Sequence, residues 1–244
     1  MSAWASGRNS SGRLWTDAGA DSVASFVDRS PWGRCLSGFE RGRVLPAVRG
    51  ATFEKGEAIV RNGFAAEHWV GVIEGLGAQS VTLANGQVMH LSAGLEGSWF
   101  GEGTLIRRGR WAYDAIAIRR TRVALVPAAT FHWLRETSLP FNHYLQVLLN
   151  DRLASFTSLA VNSRTGTAAD RVAGTLWHLF RLKHAEPHDR LVRISQAEVG
   201  MLAGLSRQRT NEALNELRER RLVILHRLGI AVPDMNALHA ALLR

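Results

Sequence analysis

The sequence predicts an α+β chain: a β-barrel or sandwich in front, a long helix, and a winged helix-turn-helix behind. Three observations predict it. Between Ala51 and Ala129, short β-type runs alternate with turn signals. From Ser138 the apolar period becomes helical. Toward the C-terminus, two helical segments with their own caps flank a glycine turn, and a hairpin pattern follows.

Residues 1–50 form a weakly patterned N-terminal segment, rich in Ser, Gly, Arg and Trp, whose first part is expected to be disordered. Asp21 to Arg29 predicts a short helix with Val23, Phe26 and Val27 on one face. Trp4, Trp15 and Trp32 mark short docking turns whose partner surface the sequence does not identify.

The β-rich domain spans residues 51–137. Its strand candidates are Ala58–Val60, Trp69–Ile73, Val81–Leu83, Val88–Leu91 and Arg122–Val126. Between them stand Lys55-Gly56, Asn62-Gly63, Glu74-Gly75, Asn85-Gly86 and Gly101-Glu102-Gly103. Asn85-Gly86 is a strong hairpin signal, because Asn-Gly accepts the positive φ of a type I′ turn.

A long helix follows over 138–163. Phe141, Leu145, Leu148, Leu149, Leu153, Phe156 and Ala160 fall at helical spacings, more apolar than a solvent-facing connector should be. Pro140 sits in its first turn, where a missing N–H costs little. Ser163 to Thr167 is the expected domain break. A second helix, from about Ala168 to Lys183, opens the C-terminal domain over 164–244.

Bulk properties bound the function. A chain of 244 residues, 46% hydrophobic, can bury two cores. No apolar run reaches the roughly 18 residues of a membrane span. The first residues lack the apolar stretch and cleavage site of a secretory signal. Net charge is +9, almost all of it from arginine, since Lys55 and Lys183 are the only lysines. Arginine matches phosphate and guanine edges, but a coding bias would give the same count. Cys35 is the only cysteine, so neither an internal disulfide nor an all-cysteine iron–sulfur site is possible within one chain. A cytoplasmic location fits best.

The most informative stretch begins at Ser195. Ser195-Gln196-Ala197-Glu198 fits a capping box. A short helix runs to about Leu202, Ala203-Gly204-Leu205 turns, and Ser206 caps a helix over Arg207–Arg220. There Thr210, Ala213, Leu214 and Leu217 form the stripe expected to be buried. Gln208, Asn211, Glu212 and Asn215 point the other way, with Arg207 in the first turn. Helix-turn-helix proteins place the first residues of this second helix against base edges. Arg suits guanine, Gln and Asn suit adenine, and Glu accepts from cytosine. Leu222–Leu225 and Gly229–Val232 then read as a wing, with Leu191–Ile194 as a third strand. The candidate DNA-contacting set is Ser195, Gln196, Ser206, Arg207, Gln208, Arg209, Asn211, Glu212, Asn215 and Arg227, with Arg209 and Arg227 assigned to phosphates.

Phe53-Glu54-Lys55-Gly56-Glu57, Gly97-Ser98-Trp99-Phe100-Gly101-Glu102 and Gly204-Leu205-Ser206-Arg207-Gln208 together resemble the Crp/Fnr family of regulators, over about Thr52 to Leu238. The resemblance implies a cyclic-nucleotide-binding-like β-roll, a dimerisation helix and a winged helix-turn-helix. It also implies double-stranded DNA with an inverted repeat, a second copy of the chain and RNA polymerase as partners. It gives Phe141, Leu145, Leu149, Leu153 and Phe156 the role of a dimer interface, although the same stripe could pack within the chain.

The resemblance places a candidate effector pocket at Gly101, Glu102, Arg110, Tyr113 and Asp114. Members that bind cyclic nucleotides follow the Gly-Glu pair with Arg-Ser or Arg-Thr for the phosphate. Here that position falls at about Tyr113-Asp114, where a carboxylate repels an anion, so cAMP is not expected. The cysteines of the oxygen-sensing members are absent. Haem ligation by His68, His90, His132 or His143 is weaker than an ordinary structural role for each. No cofactor or metal is expected.

Two other functions compete with this reading. A ligand-binding signalling module whose C-terminal domain binds protein would not need the Arg207/Asn211 face. An enzyme would need a catalytic triad order, metal-ligand spacing or phosphate loop, and none stands out.

Overall fold

In the computed structural model, which describes residues 20–182 and 190–242, the chain divides into two units. The first runs to Asn150, except for Met89–Ser92, which belong with the second unit from Asp151 onward. Trp4, Trp15, the stretch expected to be disordered, Lys183 and the side chain of Ala160 lie outside the described residues.

The first unit opens with three short helices, α1 (Ala20–Arg29), α2 (Pro31–Arg34) and α3 (Gly38–Val44). Strands β1 (Arg49–Phe53), β2 (Ala58–Val60), β3 (His68–Glu74), β4 (Leu76–Thr82), β5 (Val88–Leu95) and β6 (Trp99–Phe100) follow. Helix α4 (Glu102–Ile106), β7 (Asp114–Ala117), β8 (Thr121–Pro127), α5 (Ala128–Thr137) and α6 (Leu139–Thr165) complete it and lead onward. One sheet has the order β1-β8-β3-β6 and the other β2-β7-β4-β5.

Alternation along the strands creates two cores, because successive side chains leave opposite faces. Val123 and Leu125 on β8, with Val70 and Val72 on β3, join Ile59, Val60, Ala115 and Ala117 between the sheets. Ala124 and Val126, with Trp69 on β3, face the helices. There Trp32, Trp69 and Trp99 meet, with ring centroids 4.5 Å apart for Trp69–Trp99 and 5.1 Å for Trp32–Trp99. Phe131 of α5 and Phe141 of α6 close on Trp69 at 5.5 and 5.8 Å.

Residues 20–50 are therefore part of this core as far as they are described. Trp32 is fully buried. Ser30 caps α2 by accepting from Gly33 N–H at 3.1 Å, and a Ser37/Glu40 capping box starts α3.

The dimer assignment needs a correction at two positions. Phe141 and Leu145 are 0% and 3% exposed, buried with Leu148 among the aromatic residues above, so neither can face a partner. Leu149, Leu153 and Phe156 are exposed, as is Val147.

The predicted break at 163–167 shrinks to Gly166 and Thr167, because α6 continues to Thr165, and the division between units falls inside α6 at Asn150/Asp151. The first half of α6 supplies Phe141, Leu145 and Leu148 to the aromatic core. The second half holds α7 (Ala168–Leu182): Asp151 pairs with Arg181, and the Phe156 ring lies 5.5 Å from that of His178.

The second unit continues with β9 (Leu191–Val192), α8 (Gln196–Ala203), α9 (Arg207–Glu219), β10 (Ile224–His226), β11 (Gly229–Ala231) and α10 (Met235–Ala241). Its sheet has the order β10-β11-β9, antiparallel throughout. Val172, Leu176, Leu179, Val192, Val199, Leu214, Leu217, Ile230 and Leu238 are buried. Trp177 of α7 stacks on His239 of α10 at 4.5 Å.

Candidate nucleic-acid interface

Helix α8 starts with both halves of its capping box. Ser195 Oγ accepts from Glu198 N–H at 3.2 Å, and Glu198 Oε2 accepts from Ser195 N–H at 2.7 Å. Ser195 Oγ also donates to Glu198 Oε2 at 2.9 Å. The Ser195 hydroxyl thus serves the cap, as the Ser206 hydroxyl does for α9. Gln196 beside it is exposed.

The helix ends at Gly204, whose φ of 63° lies in the left-handed region that glycine enters without strain. Leu205 N–H reaches back to Gly200 carbonyl at 2.9 Å. Ser206 then caps α9, accepting from Arg209 N–H at 3.4 Å while its carbonyl takes the Thr210 N–H and hydroxyl. Both helices thus start and stop through local hydrogen bonds, which is why the sequence pattern reads so clearly.

The stripe predicted to be buried on α9 is buried: Thr210, Ala213, Leu214 and Leu217. On the other side Arg207, Gln208, Arg209, Asn211 and Glu212 are exposed and Asn215 is half-buried. Two polar bridges order this face. Gln208 Nε2 donates to Glu212 Oε1 at 2.9 Å, and Asn215 Nδ2 donates to Asn211 Oδ1 at 3.3 Å. The face therefore offers two guanidiniums, three amides and a carboxylate. That donor and acceptor set can be satisfied by base edges.

The wing is the hairpin β10–β11, with Leu225 opposite Ile230 and His226 opposite Gly229. Arg227 and Leu228 form its exposed tip. Arg218 and Arg221 are also exposed, at the end of α9 and just after it. Sequence reasoning passed over both, although Arg218-Glu219-Arg220-Arg221 is a visible charge run. Arg221 takes a left-handed φ of 57°, an unusual place for a residue with a Cβ.

In the front unit the candidate effector residues have structural work. Gly101 caps α4 with φ 100°, and a Cβ there would sit 2.4 Å from Cη2 of Trp111. Trp111 is 3% exposed and its ring lies 5.5 Å from that of Tyr113. Glu102 is buried. Arg110 Nη1 donates to Gly63 carbonyl at 2.8 Å, and Asp114 Oδ1 accepts from Asn62 N–H at 3.0 Å. Arg110 and Asp114 thus both hold the Asn62-Gly63 turn. Trp111, which the sequence reading left out, lies against Gly101 and Tyr113.

Among the described residues no group of three or more His, Cys, Asp or Glu is placed to hold a metal ion. Burial pushes the imidazoles of His68 and His178 down to about 4, the latter helped by the charge of Arg152. Burial also lowers His90 and His132. Among the described residues no helix is long and apolar enough to cross a membrane.

Comparison with known proteins agrees with this arrangement. Residues 51–138 match the cyclic nucleotide-binding domain family, and residues 170–241 match the Crp-like helix-turn-helix domain. The cAMP-activated global transcriptional regulator CRP of Pasteurella multocida is 25% identical over 177 residues, covering 71% of this chain and 85% of that protein. Two solved structures share the fold. FixK2 from Bradyrhizobium japonicum superposes with a TM-score of 0.60 at 21% identity, over 79% of this chain and 96% of FixK2. The c-di-GMP responsive global regulator CLP from Xanthomonas campestris gives 0.54 at 21% identity, over 81% and 100%. With both family domains present in this order, the chain belongs to the Crp/Fnr family of DNA-binding transcription regulators.

Proposed function

We propose that the protein works in the cytoplasm as a homodimer that binds an inverted-repeat DNA site through α9, and that cAMP does not control it. The observation that carries this reading is the face of α9. Arg207, Gln208, Asn211 and Glu212 are exposed on a helix whose opposite side is locked into the core. Arg207 at the first helical position reads guanine, and Glu212, held by Gln208, accepts from a cytosine amino group. Arg209 and Arg227 meet phosphates and set affinity rather than sequence.

Self-association rests on Leu149, Leu153 and Phe156, which are exposed on α6. Two recognition helices in a symmetric dimer enter successive major grooves, so half-sites lie about one helical turn apart. RNA polymerase is the expected partner of a regulator of this family, and no catalytic role is assigned.

The reading against cAMP rests on the β-roll. The position that would hold a cyclic phosphate carries Tyr113-Asp114, and the Asp114 carboxylate is fixed toward the Asn62-Gly63 turn. Arg110, the nearest cation in the candidate set, is engaged by Gly63. Selection of bound duplexes from a random DNA pool, with and without cAMP, tests the whole proposal. The expected result is an inverted repeat enriched equally in both. Enrichment of no sequence contradicts DNA reading, and enrichment only with cAMP contradicts the ligand assignment.

A further inference from the structure

We propose that Arg171 is a positioning residue for base recognition: from α7 it clamps the turn between α8 and α9 and so sets how α9 is presented, without touching DNA. The proposal rests on the reading of α9 as the base-contacting helix.

The last carbonyls of a helix have no intrahelical donors, and the partial negative charge of the helix dipole collects there. At the end of α8, Arg171 Nη2 donates to the carbonyl of Ala203 at 2.5 Å and to that of Gly204 at 3.2 Å. One guanidinium thus closes the turn from outside both helices that the turn joins. Gly204 makes the room: a Cβ there would stand 2.8 Å from Arg171 Nη2.

The placement of Arg171 on α7 is informative. It sits in the first turn, where a cation is opposed by the dipole of its own helix. Asp170 offsets this and is itself part of the N-terminal cap, accepting from the Thr167 N–H and hydroxyl at 2.8 Å each. The Arg171 backbone is fixed as well: its N–H donates to Thr167 carbonyl at 3.1 Å, and its carbonyl accepts from the Thr175 hydroxyl at 2.9 Å. The guanidinium therefore projects from a rigid point. Ser206, which starts α9, is only two residues beyond Gly204. A shift at the clamp is carried straight to Arg207 and Gln208.

A lysine at this position supplies a point charge without the planar fork, and a methionine supplies neither. The test compares wild type, Arg171→Lys and Arg171→Met at a temperature where circular dichroism shows all three fully folded. The probes are the duplex that wild type enriches from a random pool and the same duplex with its outer base pairs scrambled. Each is titrated at two salt concentrations.

Arg171→Met should lose about tenfold in the ratio of matched to scrambled affinity, the scale of one charge-assisted hydrogen bond. Binding to the scrambled duplex and the salt slope should stay as in wild type. Arg171→Lys should fall between the two. An unchanged ratio in both variants overturns the proposal and leaves the α9 reading standing. A salt slope shallower by about one charge overturns it differently, making Arg171 a phosphate contact. A wild type that prefers no sequence removes the α9 reading and this proposal together.

Discussion

Thr210 Oγ1 occupies the space beside Gly200 so closely that a Cβ on the glycine would lie 2.5 Å from it. This is where α8 and α9 touch, and the absence of one methyl group sets their separation. Gly200→Ala should therefore force the helices apart and cost about 1–3 kcal/mol, the usual range for overpacking. Thermal unfolding measures the loss. Adding Thr210→Ala to Gly200→Ala removes the clashing oxygen and should recover part of it. A double variant less stable than Gly200→Ala alone would contradict the clash.

Ser92 Oγ and His178 Nε2 lie 2.6 Å apart and buried within the second unit. The His178 imidazole is pushed down to about 4 from an ordinary 6.5. The unfolded chain therefore binds this proton more readily than the folded one. The associated stability is whole above about pH 6.5, falls as pH drops toward 4, and changes no further below that. At pH 5 the loss amounts to about 2 kcal/mol. Urea unfolding at pH 7, 6 and 5 should show the midpoint falling, and His178→Gln should make the fall shallower. Parallel pH profiles for wild type and variant would contradict this.

The two halves of α6 should respond differently to substitution. Leu153 is 67% exposed, so Leu153→Asp should leave the monomer folded and abolish self-association, since the carboxylate would face its own copy. Phe141→Ala should instead cost about 3–5 kcal/mol of stability, because Phe141 is fully buried among Trp32, Trp69 and Phe131. Light scattering and circular dichroism separate the outcomes. A wild type that is monomeric at micromolar concentration contradicts the dimer.

Calorimetry should detect no cAMP binding at micromolar concentration. The Asp114 carboxylate disfavours an anion beside it, and the Trp111 ring presses on the Gly101 cap. Micromolar or tighter binding would contradict this.

What could be read from the sequence follows the range of the interactions involved. The winged helix-turn-helix was legible because its caps, its glycine turn and its buried stripe are set by residues close along the chain. The Asn85-Gly86 hairpin was legible for the same reason, but not its turn type: Gly86 takes a positive φ and Asn85 does not, so the turn is not type I′, and Leu83 N–H donates to Gln87 carbonyl at 2.8 Å. The helical layer over residues 31–50 was not legible. Helix α2 has four residues and depends on Trp32 meeting Trp69 and Trp99 from distant strands. The spacing of Phe141 and Leu145 suggests an interface because a helical stripe records that a face is covered, not by what. Arg110 and Asp114 were read by their spacing from Gly101-Glu102, whereas their actual partners lie some fifty residues earlier, at Gly63 and Asn62.

On the function proposed above, α9 reads bases through Arg207. Binding of wild type and Arg207→Ala to the enriched site, and to sites changed at each base pair in turn, tests it most directly. Arg207→Ala should lose about 1–3 kcal/mol on the enriched site and nothing further when its guanine is replaced, with the salt slope retained. An equal loss on every sequence, together with a shallower salt slope, would make Arg207 a phosphate contact and contradict the account.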